Sequence, residues 1–138
     1  SITLLFVVSA LTSQGQNTCT GTGGVTPTGT ELIANGNFSS GNSGFTSDYP
    51  YVSVFTGNGQ YTVDTNASVF NSWWLSKDHT TGSGKFFIMD ASTATRNRSW
   101  YQTVNVSTNT EYVLQMWVTN LIPSWGSFPD PYFEIKIK

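Results

Sequence analysis

Short stretches of alternating apolar and polar residues, separated by clusters of Gly, Asn, Ser and Thr, run along most of the chain. Alternation with a period of two is the pattern of a β-strand that has one face in a core. No segment repeats apolar residues at helical spacing for three turns, so we expect no long helix. The turn clusters between the strands favour an all-β protein, an antiparallel β-sandwich truncated in its last strand. The pattern predicts seven strands, at residues 31–35, 49–55, 60–64, 85–90, 99–106, 111–120 and 132–138.

The strands at 99–106 and 111–120 show the clearest alternation. One face of each carries the larger apolar residues, and we expect those two faces to meet in the core. Gln102 lies on the inward face of the first strand, and Trp117 lies on the outward face of the second. The six apolar side chains predicted to pack together are Trp100, Val104, Val106, Tyr112, Leu114 and Met116.

An apolar run occupies residues 2–11 and is too short to span a bilayer. It has two interpretations: the apolar part of a secretory signal peptide whose charged start is missing, or a buried N-terminal strand. We adopt the first, which predicts a signal peptide at 1–15, a Thr/Gly-rich linker at 16–30 and a β-sandwich binding module at 31–138. Cys19 lies in the linker and has no second cysteine to pair with. We therefore expect a secreted or cell-surface protein, with additional domains of the parent chain beyond residue 138.

Charge is scarce in this chain. Asp, Glu, Lys and Arg make up 10% of the residues, the net charge is −2, and the six basic residues are scattered. Nucleic-acid surfaces and polybasic membrane patches need clustered Lys and Arg. The composition therefore argues against a nucleic-acid partner and against membrane insertion.

Two segments resemble known families. Residues 32–45, Leu-Ile-Ala-Asn-Gly-Asn-Phe-Ser-Ser-Gly-Asn-Ser-Gly-Phe, resemble the opening of galactose-binding-like carbohydrate-binding modules, and residues 112–118 fit a core strand of that family. Residues 77–92 contain Asp-His-Thr-Thr-Gly-Ser-Gly, which resembles the signature of MAM-like adhesion domains in secreted surface proteins. Both families are jelly-roll sandwiches, so the two resemblances imply one fold and either glycan binding or adhesion.

Both resemblances also imply a structural calcium ion near the opening motif. Calcium takes six to eight oxygen ligands, among them carboxylates and carbonyls. The oxygen-bearing candidates are Asp78, Asn37, Ser39 and Asp48, although Ser39 stands where the families often have Glu. The alternative is that Asn37 and Ser39 hydrogen-bond a tight turn while Asp78 closes a loop through an Asx-turn.

No catalytic constellation stands out. His79 is the single histidine, and a general base needs a partner within hydrogen-bond reach. We expect its ring instead to pack over its own loop and to bond backbone. No pair of the eight acidic residues suggests the two carboxylates of a glycosidase. We predict a chain that is not an enzyme, although it could be the accessory domain of an enzyme whose catalytic part lies beyond residue 138.

Aromatic side chains remain as the candidate binding groups. Trp and Tyr offer flat apolar faces to the C–H faces of sugar rings. Trp73 and Trp74 are adjacent, so on a strand they point to opposite faces and one of them belongs to the core. Trp125 and Phe128 lie in a loop that contains three prolines. The ligand-binding candidates are Trp125, Trp117, Trp73, Trp74 and Phe128.

These residues lead to two functional hypotheses. The first is a non-catalytic carbohydrate-binding module that binds glycan by aromatic stacking. The second is a structural or adhesive β-sandwich that makes protein–protein contacts within a larger surface protein. Saturable binding of a glycan distinguishes the first from the second.

Overall fold

The computed structural model of the chain describes residues 2–4, 29–92, 97–122 and 134–137. Its regular elements are the strands β1 (Ile2–Leu4), β2 (Gln60–Asp64), β3 (Phe86–Asp90) and β4 (Gln102–Val104), with one short 3-10 helix at Ala67–Val69. The protein is thus β-rich with almost no helix, as the alternating pattern predicts. The described strands form two antiparallel two-stranded sheets, β1–β4 and β2–β3, which is less than a complete jelly roll.

β2 and β3 pair over their full length, with Gln60 opposite Asp90 and Asp64 opposite Phe86. This confirms the strands predicted at 60–64 and 85–90, except that the second begins one residue later. Because neighbours on a strand point to opposite faces, the two faces of β3 meet different clusters. Phe86 and Ile88 pack into one cluster, and Phe87 packs into the other. The β2–β3 ribbon therefore separates two small cores.

The first core lies around Trp100, which is 1% exposed. Buried Ile33, Phe38, Val63 and Val104 surround it, and partly buried Phe45, Phe87, Val106, Leu114 and Met116 pack against them. Five of the six side chains predicted to pack together are in this cluster, so that prediction is confirmed for them. It is wrong for Tyr112, which is 45% exposed. Its hydroxyl accepts a hydrogen bond from the Ser107 N–H at 2.7 Å, which holds the ring over the 107–112 turn.

The second core is aromatic and lies on the other face of β3. Buried Ala67, Trp74 and Ile88 form its centre, and Phe55 meets the Trp74 ring edge-on at 5.0 Å between centroids. The 3-10 helix brings Ala67 into this cluster. Its N-terminus is capped by the Asn66 side chain, which accepts from the Ser68 N–H at 3.0 Å.

β1 pairs with β4, with Ile2 opposite Val104 and Leu4 opposite Gln102. Ile2–Leu4 therefore form a strand in the structure, as in the second interpretation of the N-terminal run. Signal-peptide cleavage concerns processing and stays a prediction. The strand predicted at 99–106 is shortened to β4, extended by a backbone bridge in which Tyr101 and Thr46 exchange hydrogen bonds of 2.9 and 3.0 Å.

Four predicted strands do not form among the described residues. Residues 31–35 lead into a turn in which Asn35 has φ +53°. Residues 49–55 reach β2 through one parallel bridge, Tyr51 to Tyr61. Residues 111–120 contain no strand, and neither do residues 134–137, the described part of the predicted seventh strand. Side-chain hydrogen bonds replace some of the backbone pairing that these strands would have made. The Gln102 amide bonds both the N–H and the carbonyl of Ala34.

Candidate ligand-binding surface

Two exposed rings lie flat against each other on the surface, the His79 imidazole and the Trp117 indole. Their centroids are 3.6 Å apart and their planes differ by 13°. Trp117 keeps 38% of its surface exposed, so the imidazole covers part of the indole and leaves aromatic surface in solvent. We call this pair the His79–Trp117 stack. It replaces the packing of His79 over its own loop that the sequence suggested.

Two hydrogen bonds join the segments that carry these two residues. The Leu75 N–H donates to the Leu121 carbonyl at 3.2 Å, and the Ser76 hydroxyl donates to the Asn120 carbonyl at 3.2 Å. The chain then turns after Asp78, where the Gly82 N–H donates to the Asp78 carbonyl at 3.0 Å. His79 lies in this turn, and its ring covers Trp117 on the neighbouring segment.

The adjacent tryptophans have different environments. Trp74 is 6% exposed and belongs to the second core, whereas Trp73 is 50% exposed. This confirms that one of the two is a core residue, and it leaves Trp74 no free ring face for a ligand. The Asn71 side chain accepts from the Trp73 N–H at 3.0 Å and so shapes the turn that separates the two rings. Trp73 and Trp117 are thus the exposed indoles among the predicted ligand-binding residues that the structure describes.

Two of the predicted ligand-binding residues, Trp125 and Phe128, lie outside the described residues. Their role in ligand binding stays a prediction from the loop sequence. The described chain before that loop ends at Ile122, which packs against the second core.

Asp78, directly before the stack, closes a tight turn. Its carboxylate accepts from the Thr81 N–H and the Thr81 hydroxyl, each at 2.7 Å, and from the Thr80 N–H at 3.3 Å. Burial raises the pKa of the Asp78 carboxyl, but these hydrogen bonds outweigh it and hold that pKa below its usual value. A Cβ at Gly84 would lie 2.9 Å from an Asp78 carboxylate oxygen, so a larger residue there would displace this carboxylate. Asp78 therefore has the Asx-turn role given as the alternative to calcium binding.

The other predicted calcium ligands have partners of their own. Asn37 accepts from the Ser39 N–H at 3.1 Å, as expected for a tight turn. Asp48 binds Arg98 through both carboxylate oxygens, each at 2.9 Å, and the guanidinium of Arg98 also lies 3.7 Å from the centre of the Tyr101 ring. The hydrogen bond from Arg98 is the main reason that the pKa of Asp48 is lowered.

In the described ranges, no group of three or more His, Cys, Asp or Glu residues is close enough to hold a metal ion. A calcium site would have to use one or two carboxylates together with amide, hydroxyl and carbonyl oxygens. A structural calcium ion at Asp78 stays a prediction, which the effect of calcium and of a chelator on the Tm tests.

An open cleft of about 630 Å³ lies elsewhere, between β4 and residues 44–46. Its described lining includes Leu32, Phe45, Tyr101 and Asn105, and none of the predicted binding residues. The Gln102 amide in its wall already bonds Ala34. The exposed aromatic surface of the His79–Trp117 stack is therefore the stronger candidate for a ligand.

Comparison of the chain with models of protein families, with curated proteins and with solved structures finds no match. The likeness to carbohydrate-binding modules and MAM-like domains therefore rests on the motifs at residues 32–45 and 77–92, because residues 112–118, which resembled a core strand, form no strand. Among the residues that the structure describes, no helix has the length and apolar character needed to cross a bilayer.

Proposed function

We propose that this chain is a non-catalytic carbohydrate-binding module of a secreted or surface-anchored protein, and that it binds glycan by stacking sugar rings on exposed tryptophan. The observation that carries the proposal is the indole of Trp117, held against His79 and still 38% exposed. A large apolar ring on the surface loses the free energy that burial would give it. A ligand that covers the ring recovers that free energy.

The chemistry around Trp117 suits a sugar. An indole presents a flat apolar face to the C–H groups of a pyranose ring. Sugar hydroxyls need hydrogen-bonding partners as well, and the exposed Thr119 and Asn120 follow Trp117 on the same segment. The side chain of Trp117 is restrained by its contact with His79, so less conformational entropy is lost when a ligand binds.

The second candidate function is a structural or adhesive sandwich that contacts other proteins. Exposed aliphatic side chains favour it, since Val54, Val69 and Leu75 are each more than 60% exposed. Each of them is next in sequence to a ring of the second core: Phe55, Phe70 and Trp74. Exposed apolar residues mark protein contact surfaces where they form one patch. A protein partner would cover these aliphatic residues, whereas a glycan would cover Trp117.

A glycan array followed by calorimetric titration of the best-binding glycan tests the first function. We expect Trp117→Ala to weaken binding by about 1–3 kcal/mol, the range known for nucleic-acid bases stacked on aromatic side chains. The stability of the variant should change by less than about 1 kcal/mol, because the ring is exposed. Trp73→Ala tests whether the other exposed indole among the ligand-binding candidates also contributes, and Val69→Ala, at an exposed aliphatic residue outside those candidates, is the control.

If no glycan on the array binds saturably, the carbohydrate proposal is wrong and the protein-contact function becomes the leading one. If Trp117→Ala unfolds the chain, Phe at this position keeps an aromatic face and allows binding to be measured.

A further inference from the structure

Residues 111–120 have one of the two clearest strand patterns in the sequence, but they form no strand. They contain no turn or bend, so this part of the chain runs straight, and none of them belongs to a strand or a bridge. Within the described ranges, residues 113–118 make no backbone hydrogen bond. Leu114 and Met116 pack against the first core. The segment is therefore extended, held by the core on one face, and without a neighbouring strand.

An extended segment with unpaired backbone groups is an edge to which another strand can be added. Natural proteins protect such edges with charged residues, proline or bulges. Residues 112–120 contain no charged residue and no proline. Between 38% and 46% of the surface of four apolar residues in this segment is exposed, namely Tyr112, Val113, Trp117 and Val118. The edge is thus both unpaired and unprotected.

The order of these residues makes the segment complementary to a second copy of itself. Two identical antiparallel strands are related by a two-fold axis, and we consider the axis that passes through Gln115. Val113 of one copy then lies opposite Trp117 of the other, and Tyr112 of one copy lies opposite Val118 of the other. Pairs of an aromatic and a β-branched residue stabilise antiparallel strands. Each exposed apolar residue of the segment therefore has a favourable partner in the second copy.

The neighbouring registers lose this match. Moving the axis to residue 114 would place Trp117 opposite the charged Glu111, and moving it to residue 116 would place Trp117 opposite Gln115. With the axis at Gln115, Glu111 lies opposite Thr119, so no like charges face each other across the pair. Apolar matching and charge therefore select the same register.

We propose that this chain forms a symmetric dimer in which residues 112–118 of two copies pair as antiparallel strands about Gln115. The pairing gives backbone hydrogen bonds to a segment that lacks them and covers part of its exposed apolar surface. One pair of short strands buries less than the roughly 1,600 Å² of a standard interface, so the dimer dissociates on dilution. The dimer goes beyond the proposed glycan binding and does not require it.

Sedimentation velocity from micromolar to millimolar protein measures the Kd of the dimer. Gln115→Lys and Gln115→Glu each place two like charges opposite each other at the axis, so each variant alone should dimerise more weakly than the wild type. A mixture of the two variants places opposite charges there. Since one exposed charge pair changes an affinity by about two- to fivefold, the mixture should associate several-fold more tightly than either variant alone. Ser53→Lys, at an exposed residue outside the segment, is the control and should leave the Kd unchanged.

Disulfide trapping tests the register. Directly opposed residues of an antiparallel pair have Cα atoms about 4.5–5.5 Å apart, a separation that a disulfide can bridge. In a Cys19→Ser background, Gln115→Cys should form a disulfide-linked dimer under mild oxidation. Val113→Cys is the matched control, because residue 113 lies opposite Trp117 and not opposite itself, and it should form little linked dimer.

A wild-type chain that stays monomeric at every concentration would overturn the dimer. A dimer that neither substitution at Gln115 weakens would place the interface elsewhere and would also overturn it, as would a mixture of the two variants that associates no better than each alone. Equal disulfide linkage through positions 113 and 115 would overturn the register. None of these variants changes Trp117, so their outcome is separate from that of the glycan experiments.

Discussion

Replacement of Gln102 by Leu tests whether hydrogen bonds from a side chain replace those of a neighbouring strand at the edge of the first core. Gln102 is 8% exposed, and its amide accepts from the Ala34 N–H at 3.0 Å and donates to the Ala34 carbonyl at 2.5 Å. Leucine has a similar volume but neither donor nor acceptor. The substitution therefore leaves both backbone groups of Ala34 without these bonds while the packing of the side chain is roughly kept.

The expected cost follows from those two bonds. Each buried polar group that loses its partner costs about 1–3 kcal/mol. Ala34 is itself exposed, so water can replace part of the loss. We expect Gln102→Leu to lower the free energy of unfolding by about 1–3 kcal/mol in total. Urea unfolding, followed through the tryptophan emission, measures this change.

Gln102→Glu adds a test by pH. A carboxylate keeps an acceptor for the Ala34 N–H but cannot donate to the Ala34 carbonyl. The protonated acid can donate, so burial and this bond raise its folded-state pKa above the unfolded value near 4.3. A raised pKa gives a stabilisation that is fully present below the unfolded value and is lost as the pH rises. The variant should approach the stability of the wild type below about pH 4 and fall behind it at pH 7.

Thr103→Val is the control, because Thr103 is the exposed neighbour on the same strand. It should change the free energy of unfolding by less than about 0.5 kcal/mol. A Gln102→Leu variant as stable as this control would refute the role of the amide as a substitute for a strand.

The remaining predictions concern the ion pair, the second core and calcium. The hydrogen bond from Arg98 lowers the pKa of Asp48, so the stabilisation by Asp48 is fully present above its unfolded-state pKa near 4 and is lost as the pH falls through the lower folded-state value. In urea unfolding, Asp48→Asn should therefore be less stable than the wild type at pH 7, and the difference should shrink as the pH is lowered below about 4. Ile88→Ala should cost about 2–5 kcal/mol, since Ile88 is 0% exposed, whereas Val69→Ala, at an exposed site, should cost less than about 0.5 kcal/mol by the same assay. If Asp78 binds calcium, a hundredfold excess of calcium over the Kd should raise the free energy of unfolding by about 2.7 kcal/mol. A chelator should then lower the Tm, and Asp78→Asn should remove this sensitivity. A Tm that neither calcium nor a chelator changes contradicts the site.

Local alternation predicted the elements whose two faces are distinct. β3 is the clearest case, because Phe86 and Ile88 enter one core while Phe87 enters the other. The prediction that one of Trp73 and Trp74 is buried also holds, although a turn and not a strand separates the two rings. Such patterns depend on the geometry of a single extended segment, which is contained in consecutive residues. Tyr112 shows the limit of this pattern. Alternation places it on the inward face, but its hydroxyl accepts a hydrogen bond from the Ser107 N–H and the residue is exposed.

The tertiary structure decided which distant residues meet. The contacts between Gln102 and Ala34, Arg98 and Asp48, and His79 and Trp117 all join segments far apart in the chain. Alternation indicates that a segment is extended, but it does not indicate which segment lies beside it or in which register they pair. A shift of the register by one residue moves every side chain of a strand to the opposite face of the sheet. The sequence therefore identified Trp117 as an outward-facing aromatic residue. Its stacking with His79 depends on the tertiary structure, because hydrogen bonds from residues 75 and 76 to residues 121 and 120 bring two distant segments together.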